Sequence, residues 1–167
     1  MKPGSEARRR LLDDHAAVSE VLKQLVTALD NKDVRASYSK LDLLWARLAV
    51  HIRAEHLHLF PAVMGRMTEA QSVVETLRAD HDFFMRELAG AIGVLREFPE
   101  QIDAVHNTVR EVEKRLASHN EIEENRIYHW ASTILTEPEQ SDLAARINAE
   151  LENRPPRFSE GAWANRL

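Results

Sequence analysis

Apolar residues recur at steps of three and four along four long stretches of the chain, the spacing that gathers them on one face of an α-helix. The first stripe runs Leu11, Val18, Leu22, Leu25, Leu29, and the second Leu41, Leu44, Leu48, Ala62. The third runs Leu77, Phe84, Leu88, Ala91, Leu95, and the fourth Ile102, Val105, Val109, Val112, Leu116, Ile127, Trp130. Polar and breaking residues set their limits. Ser5 can cap a first helix running to about Leu29, and Asp30 to Asp33 form a polar turn. A second helix begins near Asp33 and runs to about Phe60 or a little beyond, with Pro61 as a disturbance. Gly65 to Thr68 breaks the chain again, and a third helix covers Glu69 to Phe98. Pro99 opens a fourth, to about Leu135. Thr136-Glu137-Pro138 then reads as a cap with an early proline, starting a shorter fifth helix to about Asn153.

Four long helices joined by short connections predict an all-α, up-down-up-down antiparallel four-helix bundle, with a short fifth C-terminal helix. Residues 1–153 form one domain on this reading, and 154–167 an irregular tail. Gly90 and Gly93 fall mid-helix, where a glycine costs about 1 kcal/mol relative to Ala; close helix packing or a kink would explain them.

Every stripe is apolar except at one level, where His or Glu takes an inward position. The interruptions are His15 in the first, His51 and Glu55 in the second, His81 in the third, and His119 and Glu123 in the fourth. Counted from the connecting turns, at about 1.5 Å rise per residue, they fall within roughly 3–6 Å of a common depth. The chain also repeats itself. His15 and His81 stand 66 positions apart, while His51 to His119 and Glu55 to Glu123 are both 68. Asp14-His15 echoes Asp80-His81, and HIRAEHLHLF echoes HNEIEENRIY. Each half thus supplies one His on its first helix and His-x-x-x-Glu on its second, with that His and Glu one turn apart on one face. A buried carboxylate without a partner costs several kcal/mol, so such residues should be paired or bound to metal. Four imidazoles and two carboxylates suit two metal ions, each with two His and bridged by both Glu. Nitrogen and oxygen donors without sulfur fit iron or manganese, with zinc as a further choice.

At these residues the sequence resembles the hemerythrin HHE cation-binding family. The shared order is His, His-x-x-x-Glu, His, His-x-x-x-Glu, with Leu59-Phe60-Pro61 after the first pair and Glu124 after the second Glu, over about residues 8 to 135. The resemblance implies two iron ions per chain, in a di-iron centre that is often oxo-bridged and meets O2, NO or peroxide. Two departures argue against simple reversible O2 carriage. Met85 stands where oxygen-carrying hemerythrins have a further His, and Glu123 where they have an Asp. The set is closer to the symmetric centre of iron-sulfur-cluster repair proteins, whose Cys-containing amino-terminal segment has no counterpart here. A ferritin-like reading needs Glu-x-x-His twice; Glu55-x-x-His58 supplies one, but Glu123-x-x-Arg126 fails.

Other residues carry weaker signals. His58 shares the inward stripe and is a candidate extra ligand or outer support. Glu124 and Asp14 can orient ligand imidazoles from outside or act as solvated charges. His56, His106 and His129 read as surface or capping residues, and Tyr38 and Tyr128 carry no specific signal.

Composition changes this picture little. Net charge is −5 and Cys is absent, so neither a nucleic-acid partner nor a thiolate site is expected. No apolar run approaches the roughly 20 residues that span a bilayer, no signal peptide opens the chain, and a cytoplasmic location is expected. Two function classes follow: a binding, sensing or iron-handling protein, or an enzyme acting on peroxide or NO or in cluster repair. An electron donor is a possible partner, and the oligomeric state is open. A metal-free helical adaptor would leave six buried polar groups unexplained.

Overall fold

The computed structural model describes residues 3–153, with side chains from residue 6 onward; the tail expected to be irregular, 154–167, lies outside them. Helix α1 spans Pro3–Asp30, so Ser5 falls inside its first turn rather than before it. Helix α2, Val34–Ala54, runs through a π turn at Glu55–Leu59 into α3, Phe60–Met64. Helix α4 spans Ala70–Glu97. A 3₁₀ turn at Pro99–Gln101 leads into α5, Ile102–Ile122, which passes through a second π turn, Glu123–Ile127, into α6, Tyr128–Ile134. Helix α7, Glu137–Glu152, follows. No strand occurs among the described residues, and none of their helices is long and apolar enough to cross a membrane.

Local chemistry accounts for the breaks. Asp33 accepts the Ala36 N–H at 3.0 Å and caps α2, after a turn in which Lys32 takes a left-handed φ of 53°. Thr136 and Glu139 form a capping box on α7, each side chain bonding the other's backbone N–H at 3.4 and 3.0 Å, with Pro138 in the first turn.

Helix α1 packs on α2, α2 on α4, α4 on α5, and α5 closes back on α1, while α7 lies along α1 and α2. This is the four-helix bundle with a fifth helix. Its core is in two parts. One, toward the turns at residues 31 and 99, is built on Leu25, Leu41, Phe84, Leu88 and Val109. The other, toward the opposite end, is built on Leu11, Phe60, Leu77, Tyr128 and Ile147. Each fully buried aliphatic side chain stabilises the fold by about 1.5–3 kcal/mol relative to exposure. Between the two parts lies the polar layer.

The π turns were not foreseen. In each, an N–H reaches back five residues rather than four: Phe60 to the Glu55 carbonyl, and Tyr128 to that of Glu123. Pro61 is not their common cause, since His129 occupies the matching place in the second half. The wider turn advances the inward stripe by one residue. Downstream of Glu55, Leu59 and Val63 are buried instead of His58 and Ala62; downstream of Glu123, Tyr128 and Ala131 are buried instead of Trp130.

Close packing does not explain Gly90 and Gly93. A Cβ at either would meet nothing within 4 Å.

Candidate metal centre

All six interrupting residues reach one buried layer, where Glu55 and Glu123 have no exposed surface. The imidazoles form two pairs. His15 and His51 face each other through Nε2 at 3.1 Å, as do His81 and His119. The two carboxylates stand between the pairs. Glu55 places Oε2 3.5 Å from His51 Nε2 and Oε1 3.3 Å from His81 Nε2. Glu123 Oε1 is 3.5 Å from His15 Nε2 and 2.6 Å from His119 Nε2. Donor atoms of His15, His51, Glu55 and Glu123 all lie within 4.8 Å of one another, and a second such set joins His81, His119 and Glu123.

Each imidazole is held from behind through Nδ1, which leaves Nε2 directed into the layer. His51 bonds Asp14 Oδ2 at 2.7 Å, and His119 bonds Asp80 Oδ2 at 3.0 Å, with Arg115 Nε donating to the other Asp80 oxygen at 2.8 Å. His15 bonds Glu124 Oε1 at 3.0 Å, and His81 bonds His56 Nε2 at 2.8 Å. A carboxylate behind an imidazole selects the Nδ1–H tautomer and makes Nε2 a better donor. Inside the layer, the Tyr128 phenol donates to Glu55 Oε2 at 2.8 Å and lies 2.9 Å from His15 Nε2.

The fit to cations rests on what the protein leaves unsatisfied. Glu55 Oε1 and both oxygens of Glu123 are buried and accept no hydrogen bond of good geometry among the described residues. Orphaned buried acceptors of this kind are rare, and four converging imidazole nitrogens with them make an N- and O-donor set suited to hard or borderline cations.

The electrostatics agree. For Glu55, burial alone would raise the carboxyl; the His51 charge and contacts with Glu123, His51 and His81 hold it well below the ordinary range. For His51, burial works downward, but the Glu55 charge and the Asp14 bond raise it well above its ordinary value. His119 is raised too, Glu123 overcoming the effect of burial. Burial, then the neighbouring His81 and Arg78, push His56 down, which disfavours a positive charge behind His81. Burial and then the charges of Glu123 and Glu55 push the Tyr128 phenol well up, so it keeps its proton.

Beside the layer is a cavity of about 10 Å³ whose lining includes the four imidazoles together with Val18, Leu48, Phe84 and Leu116.

His58 is not gathered in. The π turn rotates it out of the stripe, and its Nε2 bonds Glu150 Oε1 on α7 at 3.2 Å. Glu124 and Asp14 do stand behind imidazoles. His56, expected at the surface, is half-buried and supports His81, with its ring 5.3 Å from that of Phe60. His106 pairs with Asp30 at 3.1 Å, and His129 is exposed. Asp80, His56 and Tyr128 were the residues missed. The repeat held a signal for the first two, since Asp80 matches Asp14 and His56 matches Glu124.

No curated protein matches the chain, and no solved structure does. Residues 7–131 match the hemerythrin HHE cation-binding domain. That span takes in every group of the buried layer, and the chain belongs to the hemerythrin HHE cation-binding family.

Proposed function

We propose that this chain is a non-haem di-iron protein of the hemerythrin type, taking up O2, NO or peroxide in oxidative or nitrosative stress or in iron handling. One observation carries the reading: four inward Nε2 atoms surround two buried carboxylates, three of whose four oxygens accept no hydrogen bond of good geometry. His15 and His51 would hold one ion, His81 and His119 the other, and Glu55 and Glu123 would serve both. When bound, iron supplies a redox-active centre with positions free for a small ligand.

The rest falls to the chain. Asp14, Asp80, Glu124 and His56 fix the imidazoles, Tyr128 holds one carboxylate oxygen, and Val18, Leu48, Phe84 and Leu116 keep bulk water away. The adjoining cavity, about 10 Å³, is no larger than about one water-sized group needs. An electron donor would be the natural partner.

A second reading makes the same centre an enzyme, turning over peroxide or NO or serving iron-sulfur-cluster repair. Tyr128 favours it, because its Oη holds a proton 2.8 Å from Glu55 inside the layer.

Metal analysis after anaerobic loading with Fe(II) alone tests the proposal. About two iron ions per chain are expected, from the two-fold N and O donor set, with near-ultraviolet absorption on oxidation. One ion or none would remove the di-iron reading. Peroxide and NO consumption by the loaded protein, repeated with Tyr128→Phe, separates carrier from enzyme.

A further inference from the structure

The two halves of the chain place different groups behind equivalent histidines. Positions 56 and 124 are related by the 68-residue repeat, and so are 60 and 128. Behind His15 stands the carboxylate of Glu124, at 3.0 Å. Behind His81 stands the imidazole of His56, at 2.8 Å. Beside His15 is the Tyr128 phenol, 2.9 Å from its Nε2; at the matching place beside His81 is the ring of Phe60, stacked with centroids 6.0 Å apart and planes 9° apart. The remaining imidazoles both have an aspartate behind them, His51 Asp14 and His119 Asp80. The group behind the ring therefore changes from carboxylate to imidazole at one pair of equivalent histidines, His15 and His81.

Its chemical effect has a definite sign. A carboxylate accepting an imidazole N–H raises the basicity of the other ring nitrogen, and its charge offsets that of a cation. An imidazole in the same place supplies no negative charge. The donor sets differ in the same direction, with four groups converging around His15 and His51 and three around His81 and His119.

We propose that the two cation positions are inequivalent: the His15–His51 position binds first and tighter, and His56 is the positioning residue that keeps the His81–His119 position weaker. This rests on the reading above that the layer holds two cations.

Stepwise binding alone does not establish it, because two like charges a few ångströms apart repel and would separate the steps even in a symmetric site. The variants decide. Fe(II) is titrated anaerobically into the full chain by calorimetry, and the iron-57 protein, after oxidation, is examined by Mössbauer spectroscopy. The wild type should bind two ions in separated steps and show two quadrupole doublets of equal area. His56→Glu should tighten the weaker step by about tenfold, the scale of outer-sphere effects on metal affinity, and draw the doublets together. Glu124→Gln should weaken the tighter step by a similar factor. It gives the same convergence from the other side should circular dichroism show that His56→Glu does not fold. Removing His119 should leave the tight step in place, and removing His51 should abolish it. Two ions bound with a single doublet, or steps that neither substitution moves, would overturn the inequivalence and leave the two-cation reading standing. Binding of one ion or none would overturn that reading and the inequivalence with it.

Discussion

Tyr128, on α6, donates its phenolic hydrogen to Glu55 Oε2, on α2's π turn, across 2.8 Å of the buried layer. The acceptor comes from one half of the repeat and the donor from the other. Tyr128→Phe should therefore cost more than a lost surface bond, because it strands one more oxygen of a carboxylate that has no exposed surface. A loss of about 1–3 kcal/mol is expected for the metal-free protein, read by urea denaturation in the presence of chelator. Equal stability of the two proteins would mean that the bond is dispensable.

Stability of the metal-free protein should depend on pH in a predictable sense. His51 and His119 have folded-state pKa values raised above the ordinary imidazole value. Their contribution is fully present below about 6.5 and is lost as pH rises through the raised values. Glu55 is depressed, so its contribution is present above its ordinary value and is lost as pH falls through the lowered one. Denaturation without metal should thus show greatest stability in mildly acidic solution, with a decline toward alkaline pH. Metal binding displaces the imidazole protons, so its stabilisation should grow as pH rises. A metal-free protein that gains stability from about pH 6 to 9 would contradict these shifts.

Helix α7 is attached by two kinds of contact of unequal weight. Glu150 bonds Arg53 at 2.8 Å and His58 at 3.2 Å at a half-exposed site, and Arg66 pairs with Glu139. Ile147 and Leu151 are fully buried. Glu150→Ala should cost about 1 kcal/mol or less, as exposed pairs do, whereas Ile147→Ala should cost about 2–5 kcal/mol. Thermal melts of the two variants provide the comparison. His58→Ala should keep the full metal complement by metal analysis, since its imidazole is turned to Glu150.

Gly90 and Gly93 offer a gain. Neither needs a positive φ, and a Cβ at either would meet nothing within 4 Å. Replacing each by Ala should raise stability by about 0.5–1 kcal/mol, mostly by reducing the freedom of the unfolded chain. A lower melting temperature for either variant would mean that the glycine has a role that the packing does not reveal.

The bundle and its polar layer were legible because they rest on period. Steps of three and four located the helices, and the 66- and 68-residue repeats brought His15, His51, Glu55, His81, His119 and Glu123 to one depth. What stayed hidden depended on departures from that period. A stripe extrapolated at 3.6 residues per turn puts His58 inside and Tyr128 outside; the π turns reverse both. His56 was hidden for another reason. Its neighbours in sequence say nothing of His81, which comes from a different helix, and only the match with Glu124 linked the two.

The π turns also tie chemistry to chain length. Each holds one residue more than an ordinary helix needs to reach the same inward places. Deleting the exposed Leu57 would restore ordinary pitch and still leave Leu59, Phe60 and Val63 facing inward, and deleting Asn125 would do the same for Tyr128 and Ala131. Adding a residue has the opposite effect: it would swing everything beyond it by about 100°, carrying Phe60 from His81 or Tyr128 from Glu55. Additions should instead be absorbed at the connections near residues 31, 66 and 99, which lie between helices rather than within one. The interval from His51 to Phe60, and from His119 to Tyr128, thus behaves as a ruler that forgives one lost residue and no gained one.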